Sequence, residues 1–136
     1  MLRFAIVGHK ATTEPTFSLN DMPGGAGRLD ILCRCINSSF FLSHDLRRDV
    51  ECFLILKGGE PTKTLRFAGE TIRSLNPDER SAGALIKKGL TKEATSSFQK
   101  AADGIHIRAG GLAELLKEIP FAVLDENGED IREAET

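Results

Sequence analysis

Apolar and polar positions fall in blocks along this 136-residue chain, and the period changes from block to block. Residues 4–7 are continuously apolar, which predicts a first strand buried on both faces. Residues 9–19 hold threonines and a proline without any period and read as a loop, and 20–27 read as a turn. From 29 to 42 the spacing becomes helical. Leu29, Leu32, Cys33, Ile36 and Phe40 share one face, while Asp30, Arg34, Asn37 and Ser38 lie on another. Asp30 and Arg34, one helical turn apart, make a favourable ion pair. Residues 50–57 are apolar again and predict a buried strand. Gly58-Gly59-Glu60-Pro61 then turns the chain, and 63–67 alternates as a more exposed hairpin partner.

Asn76-Pro77-Asp78-Glu79-Arg80 is a helix start, with proline and acids in the first turn, and 81–90 continue that helix. Residues 91–102 are polar and read as a helix or a flexible insert. The alternating run 104–108 predicts a strand. Gly110-Gly111 precede a short helix over 112–119, and 121–124 form a last strand before the turn Asp125-Glu126-Asn127-Gly128. Residues 129–136 have no element to bury. Strands alternating with helices predict an α/β fold, a largely parallel sheet flanked by helices, in one domain over 1–136. A parallel strand at 121–124 ordinarily needs something packed beyond it, so the pattern reads as a fold cut before it is finished.

Composition changes this picture little. Hydrophobic residues make up 40% and charged residues 28%, ordinary for a globular chain long enough to bury a core. No apolar run is long enough to span a membrane. The N-terminus has no signal-peptide cleavage pattern, which makes the cytoplasm the expected compartment. Three cysteines, Cys33, Cys35 and Cys52, argue by their odd number against a disulfide framework. Within one helix Cys33 and Cys35 point about 200° apart and cannot easily share a metal, so no metal is expected. The net charge of −2 hides an asymmetry: the last 23 residues hold eight acids and two bases, and the rest holds 16 bases and 12 acids. A basic body of this kind suits a polyanion partner without demanding one.

Candidate chemistry concentrates at 23–49. Gly24, Gly25 and Gly27 precede a helix start, where backbone N–H groups and the helix dipole favour an anion. The same glycines also suit a tight turn that needs positive φ. Neither a P-loop nor a dinucleotide fingerprint is present. Arg28, Arg34, Arg47 and Arg48 suit phosphate oxygens, or else ion pairs with Asp30, Asp45 and Asp49. His44 beside Asp45 is either an oriented imidazole or a helix-end cap. Asp78-Glu79 fit helix capping, but Arg80 at a helix start opposes the dipole and asks for an acid or an anion. His106 and Arg108 share one strand face as further candidates for ligand contact. The eight aromatic residues are all Phe, so there is no Tyr or Trp for a base-stacking platform.

The run Pro-Gly-Gly-Ala-Gly-Arg-Leu-Asp-Ile-Leu-Cys-Arg-Cys at 23–35 is followed by Phe-Phe-Leu-Ser-His-Asp-Leu-Arg-Arg-Asp-Val at 40–50. Asn-Pro-Asp-Glu-Arg comes at 76–80. In order and spacing these blocks resemble the archaeal tRNA pseudouridine-54 N1-methyltransferases, members of the SPOUT class of trefoil-knotted methyltransferases. Ile-Lys-Lys-Gly-Leu at 86–90, Gly-Ile-His-Ile-Arg at 104–108 and Leu-Asp-Glu-Asn-Gly at 124–128 extend the resemblance over the whole chain. It implies methyl transfer from S-adenosylmethionine to N1 of the pseudouridine in the tRNA T-loop, by a homodimer with the cofactor in the knot. The N1 proton must leave as the methyl arrives, so a carboxylate base would help, and Asp30 and Asp78 are the candidates. Arg28 would stabilise negative charge on the uracil ring. Arg34, Arg47, Arg48 and Arg80, with His44 and Arg108, would hold tRNA.

The resemblance also implies a departure. Family members continue past residue 136 into the later knot strands and a dimerisation helix, and only the first cofactor loop, after Leu124, has a counterpart here. The expectation is a C-terminally incomplete SPOUT-like domain whose own 136 residues bind the cofactor poorly, from a parent that methylates. The alternatives are an RNA-binding remnant without activity, or an enzyme of the same class acting on pseudouridine in rRNA.

Overall fold

The computed structural model describes residues 2–22, 24–42, 45–46, 48–59, 61–73, 75–76, 78–111, 122–125 and 130–131. Strand β1 (Leu2–Gly8) leads through a long loop and the glycine turn into helix α1 (Leu29–Phe40). Two short strands follow, β2 (Phe41–Leu42) and β3 (Asp45–Leu46), paired antiparallel. Then come β4 (Val50–Leu56), β5 (Lys63–Ala68), helix α2 (Glu79–Leu90), β6 (Gln99–Ala102), β7 (Ile105–Ala109), β8 (Ala122–Asp125) and β9 (Asp130–Ile131).

Seven of these strands form one sheet in the order β6-β7-β5-β4-β1-β8-β9. Only its centre is parallel: β1 pairs in parallel with β4 and with β8. The pairs β4–β5, β5–β7, β6–β7 and β8–β9 are antiparallel, so the sheet is mixed rather than largely parallel. The physical reason is connection length. Helix α1 provides the crossover that a parallel β1–β4 pair requires, whereas short turns such as 57–62 can only reverse the chain. Two further expectations change. Residues 99–102 form strand β6 on β7 rather than a helix or loose insert, and Asp130–Ile131 pair with β8. The helix expected over 112–119 lies outside the described residues.

Both helices cover one face of the sheet. Helix α1 packs on β1 and β4, helix α2 on β6 and β7, and the helices pack on each other. The row Ile6, Leu54, Leu65 and Ile107 runs across four strands under them, fully buried with Leu29, Leu32, Cys33, Ile36 and Phe40 of α1. That apolar α1 face is the one its periodicity predicts. Strand β4 is buried along its whole length, as expected of the centre of a sheet. On the other face Glu51 is buried and holds Arg3 at 2.9 Å and also Arg66, tying together β1, β4 and β5. The three parallel strands run the same way, so their carboxyl ends at Gly8, Leu56 and Asp125 lie side by side. In open α/β sheets this is the end where ligands bind.

Candidate active site at the start of helix α1

The glycine turn is closed by its own chain. Gly25 N–H donates to the Asp21 carboxylate at 3.1 Å, Gly27 N–H to the Gly24 carbonyl, and Leu29 N–H to the Met22 carbonyl. Thr12 N–H donates to the Ala26 carbonyl, which ties the turn to the loop after β1. The N–H groups of Gly25, Gly27 and Leu29 are therefore used internally, as in a tight connecting turn. Gly27 has φ +66°, and a Cβ there would lie 1.7 Å from the Lys10 carbonyl oxygen, so only glycine fits.

The turn delivers Arg28 and Asp30. Arg28 is the N-cap of α1 and the one described non-glycine residue at positive φ, 65°. Such backbone strain in a side-chain-bearing residue is typical of functional sites. Its guanidinium Nη2 donates to Asp30 Oδ2 at 3.1 Å. Asp30 was expected on the polar face of α1, yet it is only 2% exposed. Tertiary packing explains the difference: α2 and the loop before the glycine turn close over this part of α1. Gly83 of α2 makes that approach possible, since a Cβ there would meet Met22 Sδ at 2.6 Å. Asp30 Oδ1 is buried and has no hydrogen-bond partner among the described residues. An orphaned buried carboxylate oxygen is costly and points to a role outside folding.

The ion pair expected between Asp30 and Arg34 is present, at 3.6 Å, but Arg34 makes a shorter one. Its Nε donates to Oε1 of Glu79, in the first turn of α2, at 2.6 Å. Four alternating charges, Arg28, Asp30, Arg34 and Glu79, thus run from the glycine turn to the second helix. Sequence reasoning saw Glu79 only as part of a helix start; the pairing across 45 residues had no local signal. Arg80 Nη1 donates to Asn20 Oδ1 at 2.8 Å. Cys33, beside this chain of charges, has its thiol pushed up to about 12, by burial first and then by Glu79 and Asp30. Burial likewise pushes the Cys52 thiol up to about 12, and all three cysteines are free.

The other candidates are spread out. The Asp78 carboxylate caps α2, accepting from Ser81 N–H at 2.6 Å. Arg48 Nη1 donates to the Gly69 and Ile72 carbonyls at 3.0 and 2.7 Å and pins the loop after β5. Arg108 is 4% exposed, with its guanidinium 4.5 Å over the Phe98 ring. Arg108 and His106 share the sheet face away from the helices, and His106 lies opposite Arg66. His44 and Arg47 lie outside the described residues. Leu124 stands in β8 opposite Ile6 of β1, one residue before the carboxyl end of the strand. Among the described residues no cluster of three His, Cys, Asp or Glu suits a metal ion, and no helix is long and apolar enough to cross a membrane.

A mixed sheet with helices on one face and a run of paired charges at a helix start is compatible with a nucleotide-modifying enzyme, and comparison with known proteins defines the class. The whole chain, residues 1–136, matches the family described as "Putative SAM-dependent RNA methyltransferase", and the protein belongs to that family. Among curated relatives, the tRNA (pseudouridine(54)-N(1))-methyltransferase of Methanocorpusculum labreanum is 73% identical, over 100% of this chain and 72% of that protein. Proteins of the same name from Methanococcoides burtonii and Haloferax volcanii are 57% and 46% identical. They match 98% and 99% of this chain and 69% and 70% of their own lengths.

Proposed function

We propose that this protein transfers a methyl group from S-adenosylmethionine to N1 of pseudouridine 54 in tRNA. The observation that carries the reading is the 73% identity, over the full chain, to a protein of that name. The charged site at the start of α1 supports it, because N1 methylation requires a base. Asp30 accepts the N1 proton through its unpaired Oδ1, which is buried in the free protein and must be uncovered as tRNA binds. Arg28, bonded to the same carboxylate, offers its remaining N–H groups to the negative charge that develops on the uracil ring. Asp78 is the weaker candidate, since its carboxylate is engaged as a helix cap. Exposure of Arg34 and Arg80 supports their role as contacts to tRNA phosphates, with His44, Arg47, Arg48 and Arg108 as further contacts carried by the resemblance.

The cofactor supplies the methyl group. Of its binding site, the described residues contribute only the end of β8 at Leu124 beside β1. The reading includes a SPOUT-class knot, a homodimer and one domain over 1–136, as the resemblance implies. The test is Asp30→Asn, assayed for methylation of pseudouridine-containing tRNA. Turnover is expected to drop by about 10²-fold or more while cofactor affinity is retained. Unchanged turnover would falsify the assignment of the base.

A further inference from the structure

We propose that Glu79 is a positioning residue for Asp30 and acts through Arg34. The proposal rests on the reading of Asp30 as the base. The Arg34 guanidinium lies between two carboxylates, 2.6 Å from Glu79 Oε1 and 3.6 Å from Asp30 Oδ2. Arg34 follows Asp30 by one helical turn, a spacing at which the two would otherwise close into a direct pair. Glu79 draws the guanidinium toward α2. Asp30 then keeps one long ionic contact to Arg34 and a buried Oδ1 without a hydrogen-bond partner among the described residues. A carboxylate bridged by both arms of a guanidinium is a poor proton acceptor, because both oxygens are occupied and its charge is neutralised. Glu79 therefore leaves Asp30 able to take a proton, and it spans the two helices that form the site.

Stability does not account for the pair. Arg34 and Glu79 are 60% and 41% exposed, and exposed ion pairs contribute little to folding. Among the described residues these charged and titratable groups face Asp30. Arg28 comes from the turn and Arg34 from α1, with the Cys33 thiol beside them, and Glu79 comes from α2. Arg80 of α2 is turned to Asn20, and Asp21 of the preceding loop is held by Gly25 N–H.

The experiment is the pH dependence of kcat and of the KM for tRNA, with tRNA varied at saturating S-adenosylmethionine, for the wild type, Glu79→Gln, Glu79→Asp and the double variant Glu79→Gln with Arg34→Gln. Glu79→Gln should lower kcat about tenfold, leave the KM for tRNA within about twofold, and move the acid limb of the profile to lower pH. Glu79→Asp, which keeps the charge, should keep the wild-type acid limb. The double variant should recover part of kcat, because no guanidinium is left to close on Asp30. An unmoved acid limb in Glu79→Gln overturns the proposal, as does a raised KM with unchanged kcat, which would make the pair a tRNA contact. Loss of kcat with no recovery in the double variant also overturns it and marks the pair as structural. If Glu79→Gln does not fold, as read by circular dichroism, Glu79→Asp and the double variant decide the matter. Full turnover by Asp30→Asn would instead remove the base reading itself, a separate and recognisable failure.

Discussion

Gly27 and Arg28 both occupy the left-handed region, at φ 66° and 65°, yet only the first is a glycine. The difference shows which position serves the fold and which the site. Replacing Gly27 with Ala drives a Cβ into the Lys10 carbonyl and should cost about 2–4 kcal/mol, seen as a lower urea midpoint. Arg28→Gly removes a backbone strain of about 1–2 kcal/mol and should leave the urea midpoint unchanged or slightly raised. The same variant should lose at least about tenfold in turnover, because the guanidinium bonded to Asp30 is gone. Asp30 teaches a related lesson. Its place one turn before Arg34 was legible in the sequence and so was their ion pair. Its burial was not, since it follows from the packing of α1 against α2, an element distant in sequence.

At the scale of elements, the two helices and the central strands follow their periodicity, and the β6–β7 edge does not. Residues 99–102 are polar and short and carry no period that separates strand from loop. They become a strand because β7 offers an unpaired edge. That edge places Lys100 opposite His106, and His106 opposite Arg66. Burial, with Arg66 and Lys100 adding to it, holds the His106 imidazole below its ordinary value of 6.5. The unfolded chain therefore binds a proton at higher pH than the folded one does. Stability is fully present above about pH 6.5 and falls as acid is added below it. Urea midpoints at pH 7.5 and pH 5.5 should differ less in His106→Gln than in the wild type. An equal difference would mean that other groups carry the acid sensitivity.

Across the whole molecule, charge is divided between a basic body and an acidic end, and the exposed Arg34 and Arg80 lie along the α1–α2 side. Among the described residues Arg80 has Asn20 as its hydrogen-bond partner, a neutral group that leaves its charge available to a phosphate. Arg80→Ala should weaken tRNA binding at every sequence tested and reduce the slope of log K against log salt by roughly 0.7–0.9, the value for one phosphate contact. A slope that does not change would place Arg80 off the RNA path. The sequence by itself determined the amphipathic face of α1, the capped start of α2, the apolar strands, the glycine turn and the family, because each is written in residues close together along the chain. Only the tertiary structure decided the strand directions outward from the parallel centre and the burial of Asp30. It also decided that Arg48 and Arg108 are engaged in packing and that Arg34 is shared with Glu79. Those outcomes depend on which distant surfaces meet, and neither periodicity nor composition encodes a contact across 45 residues.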